Sequence, residues 1–286
     1  MVRWIVGQIL QSLVRGQLAA GRHEQPEESE HRTRSTSAGH HTSEVASTER
    51  ERYALAVVAP NKEESAGIID RMKSVVSTRA AGFDVRTGRL AGRRVAVAIV
   101  GPDFDHTSRI TEALITAYHP QLIAAAGFVT SLADKLVPGD IVIANRIVGT
   151  DGQRVLLDIR AQSGGGLHIG TLLTLDEERS IQSAVAASTT TPAALAADRI
   201  ALQVARTCQR ESVPMMAIGA VTASAADHPA EISHLFRQKS WAGKAGALLG
   251  GIARRPSTAK DLWKMKESAW QASDQLATVL IDILSR

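Results

Sequence analysis

The feature that most restricts this chain is a repeated cadence. A short apolar run ends at glycine or proline, a helical stretch follows, and another run begins. YALAVVA (53–59), RRVAVAIVG (93–101), QLIAAAG (121–127), GDIVIANRIV (139–148), HIGTLLTL (168–175) and VPMMAIGAVT (213–222) are too short and too rich in β-branched residues for buried helices. Each reads as a buried strand. A further strand is predicted at 83–90, turning at Gly92 into the run at 93–101. Between the runs, helical spacing is predicted at about 63–76, at 106–118 (Ile110, Leu114 and Ala117 on one face) and at 193–210, and 230–286 reads mainly helical. Strands alternating with helices predict an α/β fold, a central sheet flanked by helices. In such folds ligands sit at the carboxyl ends of the strands, so the positions just after 59, 101, 127, 175 and 222 are the candidates for a site.

Composition narrows the class. A 44% hydrophobic chain of 286 residues can build a full core, which excludes global disorder. A single cysteine, Cys208, excludes an intrachain disulfide framework and a cysteine-rich zinc site; it lies on an apolar helix face and reads as core rather than nucleophile. A net charge of +4 without a long basic run gives no reason to expect a nucleic-acid partner. No uninterrupted apolar stretch is long enough for a transmembrane helix.

The first 52 residues differ from the rest. Residues 1–20 carry Trp4, Ile5, Ile9, Leu10, Leu13 and Val14 at helical spacing beside Arg3 and Arg15. Three readings stand open: an amphipathic membrane-surface helix, a signal peptide (interrupted by Gln8 and Gln11), or the bland one, a frayed terminal helix or an over-extended gene start. Residues 21–52 are almost devoid of large apolar side chains and read as a disordered linker, with the domain proper at 53–286. WAGKAGALLGGIARRPS (241–257) reads as a mobile loop or interrupted helix.

Common motifs are missing: there is no GxxxxGK[ST], HExxH, GxSxG or post-strand GxGxxG. What remains is the order of the glycine-ended strands. VGPDFDHTSRITEALITAYHPQLIAAAGFVTSLADKLVPGDIVIANRIV (100–148) resembles the nucleoside phosphorylase/nucleosidase superfamily. The similarity is specifically to its methylthioadenosine/S-adenosylhomocysteine nucleosidase branch, with SGIGKxxAA, KPDxIINTGSAGGL and xxGDIVVS in the same order. YALAVVAPNKEESAGI (53–68) resembles that branch's GIIGAMEEEV, and FDVRTGRLAGRRVAVAIVG (83–101) its hairpin YTGQLNGxEVxLLKSG. GTLLTLD (170–176) is similar to GLIVSGD, and the segment 206–227 to the strand in VPFVVVRAISDVAD.

The resemblance implies a three-layer phosphorylase/nucleosidase-like fold with a central mixed sheet. It implies hydrolysis of the N-ribosyl bond of a purine or methylthio-type nucleoside. Such cleavage passes through an oxocarbenium-like state and calls on carboxyl groups to activate water and protonate the leaving base. Carried over residue by residue, the water-activating carboxylate falls on Glu64. The ribose and base contacts fall near Gly101, Asp103, Gly127, Phe128, Asp198 and Thr222.

The chain also departs from the pattern. Ile200 stands at the ribose-binding glutamate, with Arg199 at the methionine before it. Ala223 stands at the purine-protonating aspartate, and Gly219 at the arginine. Asp227, four residues on, reads as a helix cap, and Asp103, Asp105 and His106 read either as an acid–base cluster or as a polar surface loop. The phosphorylase-type GDPxR is absent, which favours hydrolysis over phosphorolysis.

Three functions follow as expectations: a divergent nucleosidase, a catalytically inactive nucleoside-binding or scaffold relative, and a membrane-peripheral phosphorylase-like protein of lipid metabolism. No cofactor or metal is expected. The resemblance implies a homo-oligomer; the single cysteine fits a reducing compartment, so a cytoplasmic location is expected, with peripheral membrane contact through residues 1–20 as the alternative.

Overall fold

In the computed structural model the described residues are 52–80, 83–101, 103–159, 163–175, 194–224 and 257–285. The elements run β1 (Leu55–Ala59), α1 (Lys62–Asp70), β2 (Lys73–Ala80), β3 (Phe83–Leu90), β4 (Arg93–Ile99), a 3-10 turn (Phe104–His106), α2 (Thr107–Tyr118), β5 (Ile123–Ser131), β6 (Ile141–Gly149), β7 (Arg154–Leu156), β8 (Leu167–Thr174), β9 (Ala194–Asp198), α3 (Ala201–Arg210), β10 (Met215–Ser224) and α4 (Ser257–Leu284). The expectations for 1–20 and 21–51, for most of 241–257 and for Asp227 lie outside the described residues.

The strands form one mixed sheet in the order β10-β6-β8-β9-β5-β1-β4-β3-β2. β1 lies between β4 and β5, parallel to both. β10 also pairs with β5, so β5, β10, β6, β8 and β9 close on themselves. Two apolar layers flank the sheet. On one side Ile110 and Leu114 of α2 and Val204, Ala205 and Cys208 of α3 pack on alternate residues of β1, β4 and β5. On the other, Ile68 of α1 and Leu276, Leu280 and Ile283 of α4 pack on Val57, Val97 and Ala124. Each such fully buried aliphatic side chain contributes about 1.5–3 kcal/mol. The expected three-layer α/β architecture is what the chain adopts.

Helices α1 and α4 approach closely because position 67 has no side chain. A Cβ at Gly67 would meet the Ser273 carbonyl oxygen at 2.5 Å. The Gly67 N–H donates to Ser273 Oγ (2.7 Å), and Arg71 bonds Asp274 (2.5 Å) at the rim. Among the described residues no helix is long and apolar enough to cross a membrane.

Several expectations need correction. The helix predicted over 63–76 stops at Asp70, and Lys73–Ala80 is strand β2. Val75 and Val76 are exposed, so they supply no helical face to bury, and Ser74 takes a φ of 54° that a helix cannot continue through. The helix predicted over 193–210 begins only at Ala201, and residues 194–198 are β9. Alanine favours helix locally, but β9 is held by β8 on one side and β5 on the other, and tertiary pairing overrides propensity. The strand expected at 121–127 continues to Ser131 because β10 pairs with it throughout. Gly127 and Phe128 therefore lie within a strand rather than in a loop after one. β7 had no counterpart in the sequence reading.

Candidate active site

Glu64 sits in the first turn of α1, immediately after β1. The segment Asn61-Lys62-Glu63-Glu64 has the spacing of a capping box. Asn61 is the N-cap, and its Oδ1 accepts from the Glu64 N–H at 3.0 Å. The Glu64 side chain then turns inward. It is 6% exposed; Oε1 accepts from Asn61 Nδ2 (2.6 Å) and Oε2 from the Phe128 backbone N–H (2.5 Å), which comes from 64 residues away.

Gly127 makes that contact available. A Cβ there would collide with Glu64 Oε2 and meet the Pro60 ring at 3.0 Å. Burial pushes the Glu64 carboxyl up to about 8; the Phe128 N–H opposes this, the Asp198 and Glu63 charges add to it, and Arg199 opposes it.

Asp198, the last residue of β9, is the second carboxyl of this region. Its oxygens are engaged locally. Oδ1 accepts from the Thr174 hydroxyl (2.6 Å), and Oδ2 from the N–H groups of Ile200 (3.0 Å) and Ala201 (2.6 Å). Both N–H groups lie where the chain enters α3. Burial raises its pKa, and these hydrogen bonds work against the rise. Thr174 closes the arrangement by accepting from the Leu202 N–H at 3.1 Å.

The loop after β4 comes alongside. Gly101 adopts φ +90°, open to glycine and strained for other residues, and its N–H donates to the Pro60 carbonyl (2.9 Å), tying this loop to the one bearing Glu64. Asp103 is exposed. Its Oδ1 accepts from the Asp105 N–H (3.2 Å) and its Oδ2 lies 3.7 Å from His106 Nε2, so it caps the 3-10 turn. Phe104, in that turn, lies under the Arg199 guanidinium at 5.3 Å from ring centroid to Cζ.

Thr222 and Ala223 lie near the end of β10. Pairing with β5 is irregular there, passing from Val221↔Val129 to Ala223↔Thr130. The Thr222 carbonyl accepts from Ser268 of α4 at 3.5 Å. Further down the strand, a side chain at Gly219 would run into the Val129 isopropyl group, so Val129 occupies the space in which an arginine at 219 would begin. Ile200 is 2% exposed and belongs to the core on the α2–α3 side. Cys208 is also core, and burial pushes its thiol up to about 12, which leaves it a poor nucleophile.

The fold thus assembles Glu64, Gly127, Phe128 and Asp198, with Gly101 as a loop tie. Sequence reasoning missed two partners. Asn61 was readable from its capping-box spacing. The Arg199–Phe104 stack had no local signal, because its members are 95 positions apart.

The site is a buried carboxyl beside a strand-borne glycine in a mixed, partly closed α/β sheet, and the fold is of the phosphorylase/nucleosidase-like class. Residues 54–164 match the model of the Phosphorylase superfamily. The resemblance to the nucleoside phosphorylase/nucleosidase superfamily is thereby borne out.

Curated relatives include the 5'-methylthioadenosine/S-adenosylhomocysteine nucleosidases of Shewanella halifaxensis (strain HAW-EB4) and Shewanella sediminis (strain HAW-EB3). Each is 32% identical over 93 residues, which is 32% of this chain and 40% of the relative. The match spans about two fifths of the length of those relatives. Among solved structures, the nucleosidase of the same name from Neisseria meningitidis in complex with methylthio-immucillin-A superposes with a TM-score of 0.62 at 20% identity, covering 81% of this chain and 98% of that one. The Streptococcus pneumoniae enzyme with the transition-state inhibitor MT-ImmA gives 0.60 at 16%, with 81% and 98% covered. At these identities the structural likeness establishes the fold.

Proposed function

We propose that this protein hydrolyses the N-ribosyl bond of a purine or methylthio-type nucleoside at a site centred on Glu64. The observation that carries the reading is the Glu64 carboxyl itself. It is buried beside the β5 backbone and held by Phe128 N–H and Asn61, and Gly127 leaves the room it needs. Curated relatives named as methylthioadenosine/S-adenosylhomocysteine nucleosidases support the substrate class.

In this reading Glu64 is the general base that takes a proton from the attacking water. With a pKa near 8 it is mostly protonated at neutral pH, so kcat/KM rises with pH and levels off above about 8. Ala223 has no proton to give, so in this reading the proton that the departing purine takes up is supplied by solvent water, and turnover is correspondingly slow. Gly101 and Phe128 line the approach to the sugar, and Thr222 lies towards the base. The protein acts as a cytoplasmic homo-oligomer.

The test is release of free base from methylthioadenosine, S-adenosylhomocysteine and adenosine by the full-length protein. E64Q should lose about 10²–10⁴-fold in turnover while keeping its melting temperature. A folded E64Q with unchanged turnover overturns the reading.

A second reading is favoured by one specific observation. Ala223 replaces the acid position and Ile200 is sunk in the core, so a nucleoside could bind without being cleaved. Ligand-dependent thermal stabilisation with no base released would select it.

A further inference from the structure

Asn61 spends its whole side chain on one neighbour. It is the N-cap of α1, in extended backbone just before the helix. Its primary amide has two ends, and both meet Glu64. Oδ1 accepts from the Glu64 N–H at 3.0 Å, and Nδ2 donates to Glu64 Oε1 at 2.6 Å. In the common capping box the glutamate reaches back to the backbone N–H of the cap residue. Here the carboxyl takes a bond from the cap's side chain, so one amide grips both the main chain and the side chain of Glu64.

The first bond dictates the second. The helix N–H needs an acceptor, which fixes Oδ1 towards the Glu64 nitrogen and turns Nδ2 to the carboxyl. Asp, Ser and Thr would cap the helix as well. Asp would set a second carboxylate against Oε1, and Ser or Thr would bring a single short hydroxyl. Among the preferred caps, Asn alone carries an acceptor and an N–H donor on separate atoms. The remaining sides of Glu64 are tied too. Oε2 accepts from the Phe128 N–H of β5, and the Glu64 carbonyl accepts from Ser273 Oγ of α4 at 3.3 Å. Each carboxyl oxygen keeps a further lone pair for water.

We propose that Asn61 is the positioning residue of this site: its side-chain amide holds the Glu64 carboxyl in the one orientation from which it takes the proton of the attacking water. The inference rests on the reading of Glu64 as the base and adds the residue that aims it. Asn61 acts only through Glu64. Its N–H bond also favours the carboxylate over the acid, against the effect of burial.

The experiment compares the full-length wild type, N61S, N61D and E64Q. Ser and Asp both keep an acceptor for the helix N–H, melting curves check that each variant is folded, and either variant carries the test by itself. Base release from methylthioadenosine, S-adenosylhomocysteine and adenosine is followed against pH. The Glu64 carboxyl is titrated by carbon-13 NMR, its signal identified by its loss in E64Q. In N61S kcat should fall about 10- to 100-fold, the size of a lost hydrogen bond to a charged group, with KM little changed. The rise of kcat/KM and the NMR titration should both move above about 8, and further in N61D, where a second carboxylate adds to the effect of burial.

A folded N61S with wild-type kcat and an unmoved titration, beside an inactive E64Q, overturns this proposal and leaves Glu64 standing as the base. So do equal losses of kcat in N61S and N61D with the titration unmoved, which would reduce Asn61 to a helix cap. Wild-type turnover in E64Q, or no base released by the wild type, overturns the function reading and with it the use of Asn61 in nucleoside cleavage. In that case a titration that moves in N61S keeps the grip of Asn61 on the carboxyl, and an unmoved one overturns that as well.

Discussion

Glu64 is a buried carboxyl and Asp198 a half-buried one, both between a strand and the helix that follows it, yet they are built for different work. Asp198 accepts three hydrogen bonds, two of them from the N–H groups of Ile200 and Ala201 where the chain enters α3. Its environment is closed by its own neighbours in sequence and by Thr174. Glu64 accepts one bond from the strand β5 and one from its cap residue, and burial holds it up near 8. A buried carboxyl is therefore not by itself a site. Burial raises the pKa of both carboxyls; Asp198 is tied by three fixed donors around the end of its own strand, whereas Glu64 has two and reaches across to β5.

The contrast can be broken most sharply at Glu64. E64Q removes the titrating group and keeps the shape, so turnover should fall by about 10²–10⁴-fold, as measured by base release. Its effect on stability has the opposite sign. The folded-state pKa is raised from 4.5 to about 8, so the folded state holds a proton that the unfolded state has lost. The stabilisation is complete below about 4.5 and disappears as pH rises through about 8. Wild-type unfolding free energy should decline over that window, by up to about 1.4 kcal/mol per pH unit, relative to E64Q in urea titrations. A parallel pH dependence in the two proteins would mean that Glu64 is not held protonated.

Asp198 should answer differently. D198A leaves the N–H groups of Ile200 and Ala201 and the Thr174 hydroxyl short of an acceptor, costing about 2–4 kcal/mol by urea denaturation. If D198A instead abolishes turnover at full stability, the division of labour between the two carboxyls is wrong.

Gly127 sharpens the comparison at intermediate size. G127A forces a methyl group against Glu64 Oε2 and Pro60, so about 1–3 kcal/mol of stability should be lost, with turnover lost alongside it. The smallest effect belongs to the rim of the α1–α4 contact. Arg71 and Asp274 are 34% and 48% exposed, and D274A should cost about 0.2–1 kcal/mol, with turnover untouched.

Much of this was legible in the sequence, though unevenly. Strands β1, β4, β6, β8 and β10 stand out because runs such as LAVVA and IVIANRIV are buried and bounded by turn residues. Glu64 was legible through the resemblance of YALAVVAPNKEESAGI to the first strand and loop of the nucleosidase branch; its position alone read equally as an exposed glutamate at a helix start. β9 was not, since ALAAD is five residues of helix-favouring composition and only its neighbours in the sheet make it a strand. The same misreading put Asp198 within a helix, where it is the last residue of a strand. Gly219 is informative only once Val129 is seen to fill the space beside it.

The sequence by itself determined the alternation of elements, the α/β class and the placing of a carboxyl after the first strand. Those follow from apolar periodicity and capping, which act over a few residues. Only the tertiary structure decided that Phe128 would present its N–H to Glu64, that β10 would close the ring of strands onto β5, and that Arg199 would stack on Phe104. These contacts join residues tens of positions apart. They are selected by packing and strand pairing across the whole domain, and no local pattern in the chain encodes them.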